Sequence, residues 1–374
     1  MTTTSAIVTY KSDDPKTPNW KWETGIKVRD ELKEHEVLVD MKSTGLCHTD
    51  IFMSTGDQNG GPKILGHEGT GIVLKIGSKV TNVSVGDPVI LSFTYCDKCP
   101  PCKSGVPGYC YEFPQGNLVN NDLEDTFVLD NQKIEAKFFG QSSFSKVGVV
   151  NEASVIGVKD LNVDPETLKR FGPLGCGFLT GAGAIYNAGE AKKGESCVIY
   201  GLGGVGFAGM MAAKIAGCNP IIGVDINQNK LDLAKKFGAT HTILGGDDDE
   251  VHKKIVEITG YGADLSLECI GGSRFINNAI NNASHCGKIV YVGLGSFTDV
   301  LSLPTFPFMM GGKKLIGCTE GNAVPREFIP KMIEWHSKGQ FPIEELQKVY
   351  KVEDFAQALA DMKAGTVVKP ILVY

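Results

Sequence analysis

The sequence has no run of large apolar residues long enough to cross a membrane. Its longest small and apolar stretch, residues 171–189, is interrupted by glycines and ends in polar residues, so it reads as buried backbone. Basic residues are not in excess either. Lys and Arg number 37 against 43 Asp and Glu, and the net charge of −6 argues against a nucleic-acid partner, whose phosphates reward basic patches. The opening "MTTTSAIVTY" shows no basic segment followed by an apolar run, so no secretory leader and a cytoplasmic location are expected. Internal repeats and low-complexity segments are absent. What remains, 42% hydrophobic and 21% charged residues, is the balance of a water-soluble globular chain.

Cysteine, by contrast, is plentiful: there are eleven. Without an export signal, clustered cysteines read as metal ligands or reactive thiols rather than disulfides. Five of them, Cys197, Cys218, Cys269, Cys286 and Cys318, stand singly in apolar or mixed surroundings and are expected to be packing residues. Four others fall within "YCDKCPPCKSGVPGYC", where Cys96, Cys99, Cys102 and Cys110 are spaced C-x2-C-x2-C-x7-C. Thiolates two residues apart can grip one ion through a tight turn, and four of them close a tetrahedral zinc shell with no room for substrate. An iron–sulfur cluster begins with the same C-x2-C-x2-C spacing and stays open as an alternative. A second group is dispersed: Cys47 in "GLCHTD", His67 in "GHEG" and Cys176 in "PLGCGFLTGAG". Two cysteines and a histidine with one open position make a catalytic zinc site, although spacing alone does not bring these three together.

At 374 residues, two domains are the natural expectation. Up to about residue 170 the chain carries short alternating runs such as "HEVLVDMKSTG" and "GTGIVLKIG", broken by Gly, Pro, Asn and Asp, a β-rich texture. Near residue 194 the texture changes. "CVIY", "IIGVD", "HTIL", "ADLSLECIG" and "GKIVYVGLG" alternate with segments of helical period, including 205–216 and 231–237, and predict a parallel doubly wound α/β sheet. "YGLGGVG" then gains weight from its context. Gly201, Gly203 and Gly206 follow a strand and open a helix, and Asp225 closes the next strand. The glycines permit a tight turn, backbone approach to a pyrophosphate, and close helix packing, while the helix N-terminus faces the anion. Asp225 would accept hydrogen bonds from ribose hydroxyls and repel a 2′-phosphate, so NAD is expected rather than NADP.

"GLCHTD", "GHEGTG", "GDPVI", the four-cysteine lobe, "GCGFLTGAGA", "GLGGVG" and "VDIN" occur in an order that resembles the zinc-containing alcohol dehydrogenases of the medium-chain dehydrogenase/reductase superfamily. The likeness spans almost the whole chain, and "FFGQSSFS", 138–145, looks like the benzyl- or aryl-alcohol branch. The resemblance implies a GroES-like catalytic domain over 1–175 and 319–374, with a zinc lobe at 95–111, and an NAD-binding Rossmann domain over 176–318. It implies two zinc ions per chain: a catalytic one on Cys47, His67 and Cys176, and a structural one on the four-cysteine lobe. Glu68 would match a carboxylate able to approach the metal, Asp50 the acid that orients the histidine ligand, and Thr49 the hydroxyl that contacts the alcohol. Cofactor contacts would come from His48, Thr180, Gly201, Leu202, Gly203, Gly204, Val205, Gly206, Asp225, Lys230, Val292 and Lys369. At the position of Lys369 many members carry Arg, and Lys keeps the charge but gives up bidentate geometry.

One departure is plain. Many members end a proton relay in a histidine where this chain has Phe52, so the proton would leave through Thr49 and the ribose, or through His48. The apolar Ile51, Phe52 and Phe93 suggest a greasy substrate channel, with ordinary core packing as the other reading. The expected reaction is reversible oxidation of a primary, aromatic or allylic alcohol, with zinc acting as Lewis acid and the hydride passing to NAD. Two competitors stand beside it. One is a glutathione-dependent formaldehyde dehydrogenase, whose branch carries an arginine shortly after the last lobe cysteine, absent from "CYEFPQG". The other is a non-catalytic NAD-binding scaffold, against which the retained ligands argue. A homodimer or tetramer is expected, paired through a sheet edge for which "LSLPTFPFM" is the candidate.

Overall fold

The structure is a computed structural model that describes residues 1–14, 17–55, 62–118, 126–296 and 298–374. The chain forms two compact units, one of Met1–Cys176, Val324–Glu334 and Pro342–Tyr374, the other of Gly177–Ala323 and Trp335–Phe341. Among the described residues no helix is long and apolar enough to cross a membrane.

The first unit is β-rich. One sheet orders its strands Lys63–Ile64, Thr2–Tyr10, Asn19–Val28, Phe127–Leu129 and Gln132–Ile134. A second runs Val155–Gly157, Pro88–Leu91, Gly69–Ile76, Glu36–Gly45, Lys369–Val373 and Gln347–Lys351, with Val147–Asn151 also paired to Glu36–Gly45. β-Branched residues at alternating positions supply its core, where Val37, Val39, Val73, Val89, Leu91, Val150 and Val155 pack together. One pairing joins the two ends of the chain. Ile371 lies opposite Gly45 and Val373 opposite Ser43, antiparallel, so the last strand delivers Lys369 beside the turn that carries Cys47.

The second unit is a six-stranded parallel sheet. Numbered one to six in chain order, Cys197–Tyr200, Ile221–Asp225, His241–Leu244, Ala263–Glu268, Ala283–Tyr291 and Lys314–Gly317 lie in the order 3-2-1-4-5-6, the doubly wound nucleotide-binding arrangement. Val198, Ile222, Val224, Ile255, Ala279 and Ile289 form the core on one of its faces. Two expectations need correction here. "LSLPTFPFM" is not an edge strand: Thr305–Met310 is helical, since Pro304 opens the turn, and the sheet's edges are His241–Leu244 and, nearest this segment in the chain, Lys314–Gly317. Cys286 is exposed in a left-handed backbone conformation (φ 61°), whereas Cys197, Cys218 and Cys318 are buried as expected.

Candidate active site and metal centres

In the lobe, a helical turn at Pro100–Lys103 and a 3₁₀ turn at Pro107–Tyr109 fold the four cysteines onto one point. Their Sγ atoms all lie within 4.8 Å of one another. The Cys99–Cys102, Cys99–Cys110 and Cys96–Cys102 separations are 3.4, 3.9 and 4.0 Å. A tetrahedron of sulfurs about 2.3 Å from zinc has edges of roughly 3.8 Å, so the lobe fits one ion and is too tight for a multi-iron cluster. Backbone N–H groups of Cys99 and Glu112 donate to Cys96 and Cys110 Sγ. Desolvation of Cys99 is outweighed by hydrogen bonds from the Cys102 and Tyr111 backbone and from neighbouring cysteines, which hold its thiol at about 6.

The dispersed group is brought together as well. The Sγ atoms of Cys47 and Cys176, a ring nitrogen of His67 and a carboxylate oxygen of Glu68 lie within 4.8 Å of one another. Each comes from a loop closing a short element. Cys47 follows the strand Glu36–Gly45, His67 and Glu68 precede Gly69–Ile76, and Cys176 follows the 3₁₀ turn Gly172–Gly175. Asp50, fully buried near the start of the helix His48–Thr55, organises two of these loops. One oxygen accepts from His67 Nδ1 at 2.9 Å and Gly66 N–H at 3.1 Å, the other from Cys47 N–H at 3.0 Å. The ring orientation is thereby fixed, and His67 Nε2 is left buried with no hydrogen-bond partner. An orphaned imidazole nitrogen beside two thiols is the donor set that a zinc ion satisfies.

The electrostatics agree. Cys47 is held well below the usual thiol range, first by a hydrogen bond with Cys176 and, against desolvation, by the charges of Lys369 and His67. Burial opposes charge on His67, yet Asp50 raises it well above its ordinary value. Burial pushes Glu68 up despite the Lys369 charge. Lys369, expected as a cofactor contact, lies beside the metal group. It is buried, and its ammonium donates to both Glu68 oxygens at 2.9 and 3.0 Å and to Leu46 O at 3.1 Å. Three donors are thus spent inside the first unit.

Around the metal group, Thr49 Oγ1 lies 3.7 Å from Cys47 Sγ, while His48 is exposed and Ile51 and Phe52 are half-buried on the same helix. Phe93, expected to line a channel, has no exposed surface and instead backs a chain of rings. It packs on Phe113 at 5.7 Å, Phe113 on Phe139 at 6.1 Å, and Phe139 on Phe138 at 4.8 Å. Phe139 stacks on the His67 ring at 4.7 Å and 29°, and Phe138 meets it edge-on at 5.3 Å. Sequence reasoning misses Phe113, Phe138 and Phe139 as neighbours of the ligand histidine. The one signal is the aromatic pair in "FFGQSSFS", which marks a branch of the family without showing what the rings touch.

In the second unit, Gly201 turns the loop with φ +86°, and a Cβ on Gly206 would lie 2.1 Å from Gly201 O. A Cβ on Gly203 would meet nothing within 4 Å, the open backbone that a pyrophosphate requires. Gly204–Ala216 is the helix that starts there, carrying Gly204 and Val205 in its first turn. Asp225 accepts from Leu202 N–H at 2.7 Å and Asn227 N–H at 2.9 Å, and Lys230 Nζ stands 3.9 Å from it. Val292 donates its N–H to Glu268 O at 2.9 Å just after the strand Ala283–Tyr291, and Thr180 is half-buried on the helix Gly177–Gly183.

Comparison with known proteins agrees with both units. Residues 33–160 match the family model of the alcohol dehydrogenase GroES-like domain, and 204–338 that of the zinc-binding dehydrogenase. An S-(hydroxymethyl)glutathione dehydrogenase of Synechocystis sp. is 35% identical over 352 residues, 91% of this chain and 93% of that protein. Geraniol dehydrogenase of Castellaniella defragrans is 33% identical, covering 91% of each chain. The crystal structure of benzyl alcohol dehydrogenase from Acinetobacter calcoaceticus superposes with a TM-score of 0.91 at 34% identity, over 100% of this chain and 99% of that one. The chain belongs to the zinc-containing alcohol dehydrogenases, enzymes of the medium-chain dehydrogenase/reductase fold.

Proposed function

We propose that the enzyme oxidises primary aromatic or allylic alcohols to aldehydes, reversibly and with NAD, holding two zinc ions per chain. The observation that carries the substrate class is the run of rings from Phe93 through Phe113 to Phe139 and Phe138, which ends on the ligand histidine. Aromatic faces favour an aryl or unsaturated substrate by offset and edge contacts. The similarity to geraniol and benzyl alcohol dehydrogenases supports the same class. Cys47, His67 and Cys176 would hold the catalytic ion, and the four lobe cysteines the structural one. When bound, the catalytic zinc supplies Lewis-acid polarisation of the substrate oxygen, and NAD the hydride acceptor.

The chain's own residues do the rest. Asp50 fixes the imidazole through Nδ1, Thr49 accepts the alcohol proton at its hydroxyl while passing its own proton on, by way of the ribose or His48, to water, and the rings exclude water from the metal group. Asp225 and the glycine loop seat the NAD, with Lys230 beside the ribose. Under this reading the domains extend over 1–175 with 319–374, and over 176–318, bounds that depart from the compact units at Cys176, 319–323 and 335–341. Copies pair through the Lys314–Gly317 edge strand, flanked by exposed Phe306, Met309 and Met310. Reduced, metal-binding thiols suit a cytoplasmic setting.

A second reading, oxidation of S-hydroxymethylglutathione, is favoured by the Synechocystis relative. A panel of benzyl alcohol, cinnamyl alcohol, geraniol and S-hydroxymethylglutathione, each with NAD and NADP, separates the two by kcat/KM. The proposal requires the aryl and allylic alcohols to lead; a clear lead for the glutathione adduct overturns it. Zinc analysis should return about two ions per chain. Cys47→Ser should abolish turnover and remove one of the two.

A further inference from the structure

Asp50 joins the Cys47 loop to the His67 loop, but it makes no bond to the Cys176 loop. That connection runs through a different buried polar group. Gln141 has no exposed surface. Its Nε2 donates to His67 O at 2.9 Å and Ser92 O at 3.0 Å, and its Oε1 accepts from Gly69 N–H at 3.2 Å. Ser92, also fully buried, donates its hydroxyl to Gly175 O at 2.6 Å, one residue before Cys176. Both N–H donors of the amide are used, and each partner is backbone that flanks a metal-group residue or the end of the strand Pro88–Leu91.

The segment that aims this amide is strained. Phe139 and Ser142 hold φ of 53° and 54°, a region that bulky L-residues avoid. Ser142 is pinned there by donating to Ile64 O at 2.6 Å and accepting from Phe138 N–H at 3.0 Å, and Ser154 donates to Phe139 O at 3.1 Å. With this turn, Gln141 faces the His67 carbonyl while Phe139 covers the His67 ring. One short segment therefore grips the same histidine from its backbone and from its ring face.

We propose that Gln141 is a positioning residue of the metal centre: its amide clamps the His67 loop to Ser92 and, through Ser92, to the Cys176 loop, setting the spacing at which the three ligands meet. The inference rests on reading Cys47, His67 and Cys176 as zinc ligands. A neighbour that orients ligands in this way commonly governs metal affinity by about 10- to 100-fold.

The test is zinc release from the holoenzyme to a chromogenic chelator, with turnover and thermal unfolding measured alongside. In the unaltered enzyme two phases are expected, of which Cys47→Ser removes one. Gln141→Leu should speed that phase about tenfold or more and leave the lobe phase unchanged. Cobalt placed in the same site should show shifted visible bands. Asn117→Leu is the control. Asn117 is another buried amide clamp, bonding Thr94 N–H, Thr94 O and Phe113 O, and its loss should lower stability without speeding the catalytic phase. If Gln141→Leu lowers the unfolding temperature while zinc release from the folded enzyme stays at its original rate, Gln141 is only a core amide and the proposal falls. It falls equally if both variants speed the phase alike. A single zinc phase that Cys47→Ser leaves untouched sinks the metal reading itself, a distinguishable result.

Discussion

Lys369 Nζ and the Glu68 carboxylate form a buried ion pair at 2.9 and 3.0 Å, with side-chain exposures of 5% and 0%. The two arrive from opposite ends of the chain, joined by the antiparallel pairing of the last strand with residues 43–45. Removing one partner leaves an uncompensated charge without solvent, which typically costs about 3–5 kcal/mol. Lys369→Met should therefore destabilise the first unit by that amount in denaturant unfolding. Glu68→Gln together with Lys369→Met should recover most of the loss, because replacing both charges is often neutral. No recovery in the double variant would show that Lys369 stabilises through something other than this pair.

Asp225 serves two ends. Its two oxygens tie the Leu202 and Asn227 N–H groups, and in the proposed NAD site its charge would face the ribose. Asp225→Asn removes the charge that repels a 2′-phosphate and keeps an acceptor for only one of the two loop N–H groups, since its amide nitrogen donates. The ratio of kcat/KM with NAD to that with NADP should fall about tenfold, ~1.4 kcal/mol, alongside a stability loss of about 1–3 kcal/mol from the loop N–H left without its acceptor. An unchanged ratio would remove Asp225 as the determinant of cofactor choice.

The Rossmann half is legible in the sequence because its periods are local: "IIGVD" and "HTIL" coincide with the strands Ile221–Asp225 and His241–Leu244. The proposed metal ligands are legible by residue type and by resemblance, and the fold supplies their meeting point. Lys369 enters the sequence reading only through the resemblance, because a lone lysine near a C-terminal strand carries no sign of a partner about 300 residues away; only the register of that strand reveals Glu68. "LSLPTFPFM" reads as an edge because its alternation is apolar, but its prolines remove ladder donors and favour a helical start. Gln141 escapes notice because a glutamine inside an aromatic run gives no hint that its partners are three backbone groups, two in the 67–69 segment and one at Ser92.

Glu36 offers a test by acid. Desolvation works against its charge, yet hydrogen bonds from Arg29, Lys137 and the Lys33 backbone hold its carboxyl at about 2, against an ordinary 4.5. A folded value below the unfolded one stabilises the protein above about pH 4.5, and that contribution is lost as pH falls from there toward 2. Its full size is up to about 3 kcal/mol. Glu36→Gln should be less stable than the unaltered chain at pH 7, and the gap should narrow measurably between pH 5 and 3.5. Parallel urea midpoints across that interval would contradict the assignment.

The ring stacked on His67 gives the sharpest test of substrate class. Phe139 lies 4.7 Å from the imidazole, nearly parallel, and touches both Phe138 and Phe113. Phe139→Leu keeps an apolar side chain that is three carbons smaller, so a stability cost of roughly 1–3 kcal/mol is expected. It removes the aromatic face, and an aromatic contact is worth ~0.5–1.5 kcal/mol beyond its buried area. Benzyl alcohol should therefore lose roughly three- to tenfold in kcat/KM relative to hexanol, with zinc content unchanged. Equal losses for both alcohols would mean that Phe139 supports the histidine rather than the substrate, and the aromatic preference would have to be sought in Ile51 and Phe52.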